Sequence, residues 1–251
     1  MKIELISYTP NPLGVIAFAK NMMRANAKLP REYSRKKLEE EFKDCIKSAL
    51  LGPFEFVHFV FRDNDVTRAY THQKVRTRMA SYVQESMRFS VRERGEFGYL
   101  MGPSVNNFEK EKVFSDTCKI IGGNYSKLLQ LGVSVEDARG ILPTNIFTAI
   151  ATAISYSSLV HMAEQRLCFN TQGEHREAML EIKRLVTQIE PLMGEYLKAS
   201  CEHNGFCSWE GSLDRKCPMQ KTYSFRSEVV MYSKEIKELV NKLNGNDIQK
   251  K

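Results

Sequence analysis

Seventeen residues, Gln73 to Phe89, hold three arginines, two serines and two side-chain amides. Arginine carries a planar fork of donors that matches an anion two bonds at a time. Arg76, Arg78 and Arg88 are interleaved with Ser81, Gln84 and Ser86, whose hydroxyl and amide groups can complete the coordination of a phosphate. A helix over 66–80 would place Val66, Ala69, Tyr70, Gln73, Thr77 and Ala80 on one face, with Gln73 in an apolar stripe where it needs a partner. An extended segment over 84–88 would turn Gln84, Ser86 and Arg88 to one side, able to grip one ligand. The plainer alternative is a charged amphipathic helix followed by a polar turn.

The elements that must position this stretch are read from periodicity and punctuation. Lys2 to Tyr8 alternates like a strand, and Pro10-Asn11-Pro12 stops it before a helix from about Leu13 to Arg24. Ser34 caps a helix carrying Leu38, Phe42, Cys45, Ile46 and Ala49, closed by Gly52-Pro53. Gly52 to Phe61 reads as a strand bounded by Asp63-Asn64-Asp65. Glu93 to Gly102 suits a loop, and Asn107 caps a helix through Val113, Cys118 and Ile121 that meets Gly122-Gly123. Ser134 opens a short helix leading to Ala138-Arg139-Gly140-Ile141-Leu142-Pro143. Thr144 then starts a helix whose apolar face runs from Ile146 through Ala149, Ile150, Ala153 and Ile154 to Val160 and His161.

Bulk properties set limits. The 251 residues carry a net charge of +7 and are 42% hydrophobic, enough for one sizeable core and for a preference toward anionic partners. No run of eighteen apolar residues and no cleavable leader is present, so a soluble cytoplasmic protein is expected, with no membrane partner. No Gly-rich phosphate loop of the Rossmann or P-loop kind occurs.

The stretch resembles the signature of the flavin-dependent thymidylate synthase (ThyX) family, Arg-His-Arg-x-x-Ser-x-Asn-(Glu/Gln)-x-Ser-x-Arg-Tyr. Arg76, Arg78, Ser81, Gln84, Ser86 and Arg88 match it, while Thr77, Val83 and Phe89 replace the histidine, asparagine and tyrosine. Pro53-Phe54-Glu55, Ala138-Arg139-x-x-Leu142-Pro143, Arg166 and Ala178-x-x-Glu181-Ile182 resemble further family segments in the right order over about residues 1–200. The resemblance implies an α+β fold with a mixed sheet flanked by long buried helices, and a homotetramer with sites shared between subunits. It implies transfer of a one-carbon unit from methylenetetrahydrofolate to carbon 5 of dUMP, with FAD as redox carrier and NADPH as reductant. The nucleotide would be held by Gln73, Gln84, Glu85, Ser86, Met87, Arg88, Arg139 and Arg166, with Arg88 and Arg166 also catalytic. The cofactor would meet Arg76, Thr77, Arg78, Ser155 and His161.

The departures cluster on the flavin side: Leu50 and Phe56 stand where the family has histidines, with His58 nearby as a substitute, and Ser155 and Ser157 stand for an asparagine and an arginine. Weakened FAD binding is the expectation. Two alternatives stay open, a methylase or hydroxymethylase acting on UMP or dCMP, and a basic nucleic-acid-binding module, the latter disfavoured because the arginines alternate with apolar positions. Beyond a catalytic domain of 1–200, an extension over 201–223 carries Cys201, His203, Cys207 and Cys217, and 224–251 reads as a helix with a basic tail. The cysteine spacing matches no standard zinc pattern, so free thiols and no metal are expected.

Overall fold

The computed structural model describes residues 1–90, 96–207, 217–221 and 224–225. Strand β1 (Lys2–Tyr8) is followed by helix α1 (Pro12–Met22), whose Asn11 cap accepts from the Gly14 amide, and by α2 (Arg35–Lys47), capped by Ser34 as the sequence predicts. β2 (His58–Thr67) pairs antiparallel with β1 and with β4 (Phe147–Ser155), and β3 (Ala80–Gln84) pairs antiparallel with β4. The strand order is therefore β1-β2-β4-β3. The α+β expectation holds, the four-stranded sheet is antiparallel throughout, and among the described residues parallel pairing is confined to the two-residue strands β5 (Phe206–Cys207) and β6 (Ser224–Phe225).

The helices are α3 (Arg68–Lys74), α4 (Phe108–Gln130), α5 (Val135–Ala138), α6 (Tyr156–Arg166), α7 (Gly173–Ile189), α8 (Pro191–Tyr196) and α9 (Ser200–Asn204). Buried positions alternate along β2 and β4, so one sheet face packs against helices. The core joins Ile3, Phe59, Phe61, Val66, Ile150 and Ile154 to Ile16, Phe42, Leu159, Met179 and Ile182. Phe42 and Phe54 stack at 5.3 Å between ring centroids, and the buried Tyr156 hydroxyl donates to the Met193 carbonyl at 2.8 Å.

Several expectations are corrected. The helix expected over 66–80 is only Arg68–Lys74, because Val66 belongs to β2 and Ala80 begins β3. Gly52–Phe56 is a 3-10 turn, and β2 runs straight through Asp63-Asn64-Asp65, absorbing them in a bulge where Asp65 takes φ 52°. The largest correction is β4, where a helix is expected. Thr148, Ile150, Thr152 and Ile154 are buried on one side of this strand, while small alanines occupy the other. Those alanines supply false helical spacing, and sheet pairing on both edges overrides it. Gly122 and Gly123 do not interrupt α4, which continues to Gln130. Residues 93–95 of the expected loop and 226–251 of the expected C-terminal helix and tail lie outside the described residues, while Ser224–Phe225, expected to begin that helix, form β6.

Candidate functional site

Helix α3 is the frame of the site, and buried polar groups hold it. Thr67 caps it, accepting from the Tyr70 amide at 3.0 Å, and the Glu174 carboxylate accepts from the Thr67 amide at 2.7 Å and its hydroxyl at 2.6 Å. Lys74, fully buried, pairs with the equally buried Asp63, whose carboxylate also accepts from the Tyr70 hydroxyl at 2.6 Å. Burial lowers the Lys74 pKa and Asp63 opposes that effect. The Tyr82 hydroxyl of β3 lies 3.0 Å from the Lys74 carbonyl and 2.8 Å from that of Thr77, joining the turn after α3 to the next strand. The His175 ring packs edge-on against Tyr70 at 4.7 Å, and burial drops its pKa to about 3.

The predicted nucleotide residues fall into two groups, one at each of two pockets. In the first, Gln73 donates to the Gln172 side chain at 2.8 Å, and its carbonyl accepts from Arg166 at 3.2 Å. Both line a pocket of about 630 Å³ together with His161 and Gln172. Arg166 keeps a buried Nε without a partner among the described residues, and burial lowers its pKa against the pull of Tyr82 and Tyr70.

In the second group, Met87 and Arg139 line a pocket of about 440 Å³ with Arg68, His72 and Glu136. Arg88 reaches the Glu136 carboxylate at 2.9 Å, and Arg139 approaches the same carboxylate at 3.9 Å while donating to the Glu136 carbonyl at 3.1 Å. Residues 84–88 are not one extended strand. β3 ends at Gln84, and Ser86 starts a turn in which its carbonyl accepts from the Phe89 and Ser90 amides, so Gln84, Ser86 and Arg88 do not share one face. Gln84 instead donates inward to the Thr71 hydroxyl at 2.7 Å, and Glu85 accepts from the Ser90 hydroxyl at 2.5 Å. Arg68 and His72, spaced one helical turn apart, are site-lining residues that the sequence reading missed. Burial lowers the Arg68 pKa, the nearby Arg139 adds to this, and Glu85 opposes it.

The predicted cofactor residues differ in availability. Arg76 and Arg78 are exposed on the turn before β3 and make no ion pair among the described residues. Thr77 between them is buried, with its backbone tied to Lys74 and Tyr82. Ser155 caps α6 and donates to Glu55 at 2.6 Å, so its hydroxyl is occupied. His161 is exposed, within 3.0 Å of the Gln165 amide nitrogen. Phe56 is exposed on its 3-10 turn, outside the strand that holds His58, so the two do not share a strand face.

The sequence matches the profile of the family described as thymidylate synthase complementing protein over residues 4–192. A flavin-dependent thymidylate synthase of Geobacter sulfurreducens is 33% identical over 199 residues, covering 76% of this chain and 84% of the relative. Relatives of the same description from Nitratidesulfovibrio vulgaris and Clostridium tetani are 28% and 27% identical, covering 82% and 89% of this chain and 90% and 97% of their own lengths.

Proposed function

The chain belongs to the thymidylate synthase complementing protein family, that of the flavin-dependent thymidylate synthases, and from that premise we propose that it methylates carbon 5 of dUMP. The observation that carries the reading is the convergence of Arg88 and Arg139 on one carboxylate, that of Glu136. A carboxylate approached by one guanidinium nitrogen of each arginine, at 2.9 and 3.9 Å, would occupy the place and charge of a substrate phosphate. Arg166 and Gln73 would then orient the base from the other pocket, and such positioning lowers the barrier by converting collision into fixed geometry.

The two residue groups lie at separate pockets, so a site shared between subunits of a homotetramer suits them. Exposed apolar side chains on α4 (Phe108, Val113, Ile120) and near β3 (Met79, Val83, Phe89) support subunit contacts. FAD would be received at Arg76 and Arg78, two exposed guanidiniums without an ion pair among the described residues and able to receive a diphosphate, with the exposed His161 a further contact. When bound, the flavin supplies the two-electron capacity needed to turn a transferred methylene into a methyl group. Methylenetetrahydrofolate is the proposed donor, NADPH the reductant and the cytoplasm the location. Among the described residues no helix is long and apolar enough to cross a membrane.

The test is product analysis. Purified protein with dUMP, methylenetetrahydrofolate, FAD and NADPH is expected to form dTMP, and UMP or dCMP is expected to react far more slowly. Preferential turnover of UMP or dCMP would move the activity to those substrates. Binding to random oligonucleotides with steep salt dependence, and none to mononucleotides, would replace the enzyme reading with a nucleic-acid-binding one.

A further inference from the structure

Four of the six cysteines line one pocket. Cys168 lies just after α6, Cys201 is in α9, Cys207 is in β5, and Cys217 precedes the 3-10 turn Pro218–Lys221. All four line a pocket of about 220 Å³. The structure thereby exchanges one member of the set suggested by the sequence. The His203 ring stacks edge-on against Tyr196 with centroids 4.7 Å apart and does not line the pocket, whereas Cys168, distant in sequence, does.

The dimensions bear on the guest. Among the described residues no three His, Cys, Asp or Glu side chains stand close enough to hold a single metal ion. One zinc ion would draw its sulfurs to about 2.3 Å from its centre and leave no cavity between them. The space here is several times the roughly 30 Å³ share of one water molecule, which suits a guest of several atoms. We propose that Cys168, Cys201, Cys207 and Cys217 ligate an iron–sulfur cluster, the class of cofactor that takes four cysteine thiolates around a multi-atom core.

The surroundings suit that guest. A cluster held by four thiolates carries net negative charge, and Arg176 and Lys183 line the same pocket. Arg176 is fixed there, its guanidinium 4.0 Å above the Phe169 ring and donating to the Leu167 carbonyl at 3.2 Å. Each Fe–Sγ bond would form as the thiol's proton leaves to solvent. Glu164, Cys168 and Ser200 line both this pocket and the one that holds Arg166. The cluster would thus tie Cys201, Cys207 and Cys217 to the end of α6, two residues from Arg166.

The full-length chain, purified anaerobically and reconstituted with iron and sulfide, is expected to hold about four iron atoms and about four acid-labile sulfides. After dithionite reduction it is expected to give a cluster EPR signal, which a flavin does not mimic. C168S and C217S should each lose most of the iron and sulfide, and H203A should keep both. If the serine variants fail to fold, the wild-type stoichiometry decides alone. One zinc per chain without sulfide, no bound metal at all, or iron that survives the C168S/C217S double substitution would overturn the assignment.

Discussion

The inner and outer sides of helix α3 treat charge in opposite ways. Inside, Lys74 and Asp63 are both sealed from solvent and paired, and Glu174 accepts two hydrogen bonds from Thr67. Outside, Arg68 and His72 line an open pocket, and Arg76 and Arg78 stand without ion pairs among the described residues. A buried charge without its partner costs several kcal/mol, so the interior tolerates only matched groups, whereas an exposed guanidinium loses little by waiting for a ligand. The matched groups hold this helix in place, and the groups lining the open pocket are the ones proposed to meet a ligand.

The sharpest way to break that division is Lys74→Ala, which leaves Asp63 charged and unpartnered in the core. The expected loss is about 3–5 kcal/mol, read as a large fall in melting temperature. An unchanged melting temperature would mean that the pair holds nothing. The double substitution Asp63→Asn with Lys74→Met should recover part of the loss, since no buried charge then remains.

On the outer side, Arg88→Ala should leave the melting temperature within about 0.5 kcal/mol of wild type, as surface substitutions usually do. Nucleotide affinity should fall by about 1.5–3 kcal/mol, roughly ten- to a hundredfold by calorimetry with dUMP. Equal affinity in the two proteins would remove Arg88 from the site.

His175 supplies a pH test of the inner side. The unfolded ring takes a proton below about 6.5, and the buried ring refuses one until about 3. Between those values the unfolded state holds more protons, so stability is fully present above pH 6.5 and declines as pH falls through the window. The expected decline between pH 6.5 and 5 is about 2 kcal/mol, at roughly 1.4 kcal/mol per pH unit. Denaturant melts of His175→Phe should show a shallower slope over that range. An identical slope would locate the titration elsewhere.

The smallest effect sharpens the outer side. Glu136→Gln releases Arg88 and Arg139 from an exposed ion pair worth about 0.2–1 kcal/mol, so dUMP should bind a few-fold more tightly. Weaker binding would show that Glu136 positions the arginines instead of competing for them.

Local chemistry made much of the chain legible from its residues. The strand at Lys2–Tyr8 and the caps at Ser34, Asn107 and Ser134 depend on residues within a few positions of the backbone groups they satisfy, so they appear where expected. The arginine-rich signature was readable for the same reason, since residue type and spacing alone define it. What tertiary structure decided depends on partners distant in sequence. Phe147–Ser155 became a strand because β2 and β3 hydrogen-bond to its two edges, which outweighs an alanine-rich spacing that also fits a helix. Gln84 turned inward because Thr71 offered a buried acceptor, and Ser86 and Arg88 were separated from it by a turn. Arg139 joined Arg88 through Glu136, and Cys168 joined Cys201, Cys207 and Cys217, only when chain segments far apart in sequence packed together. Periodicity records which face of an element is apolar, but the identity of the group across a pocket is set by packing between elements, and no local pattern encodes it.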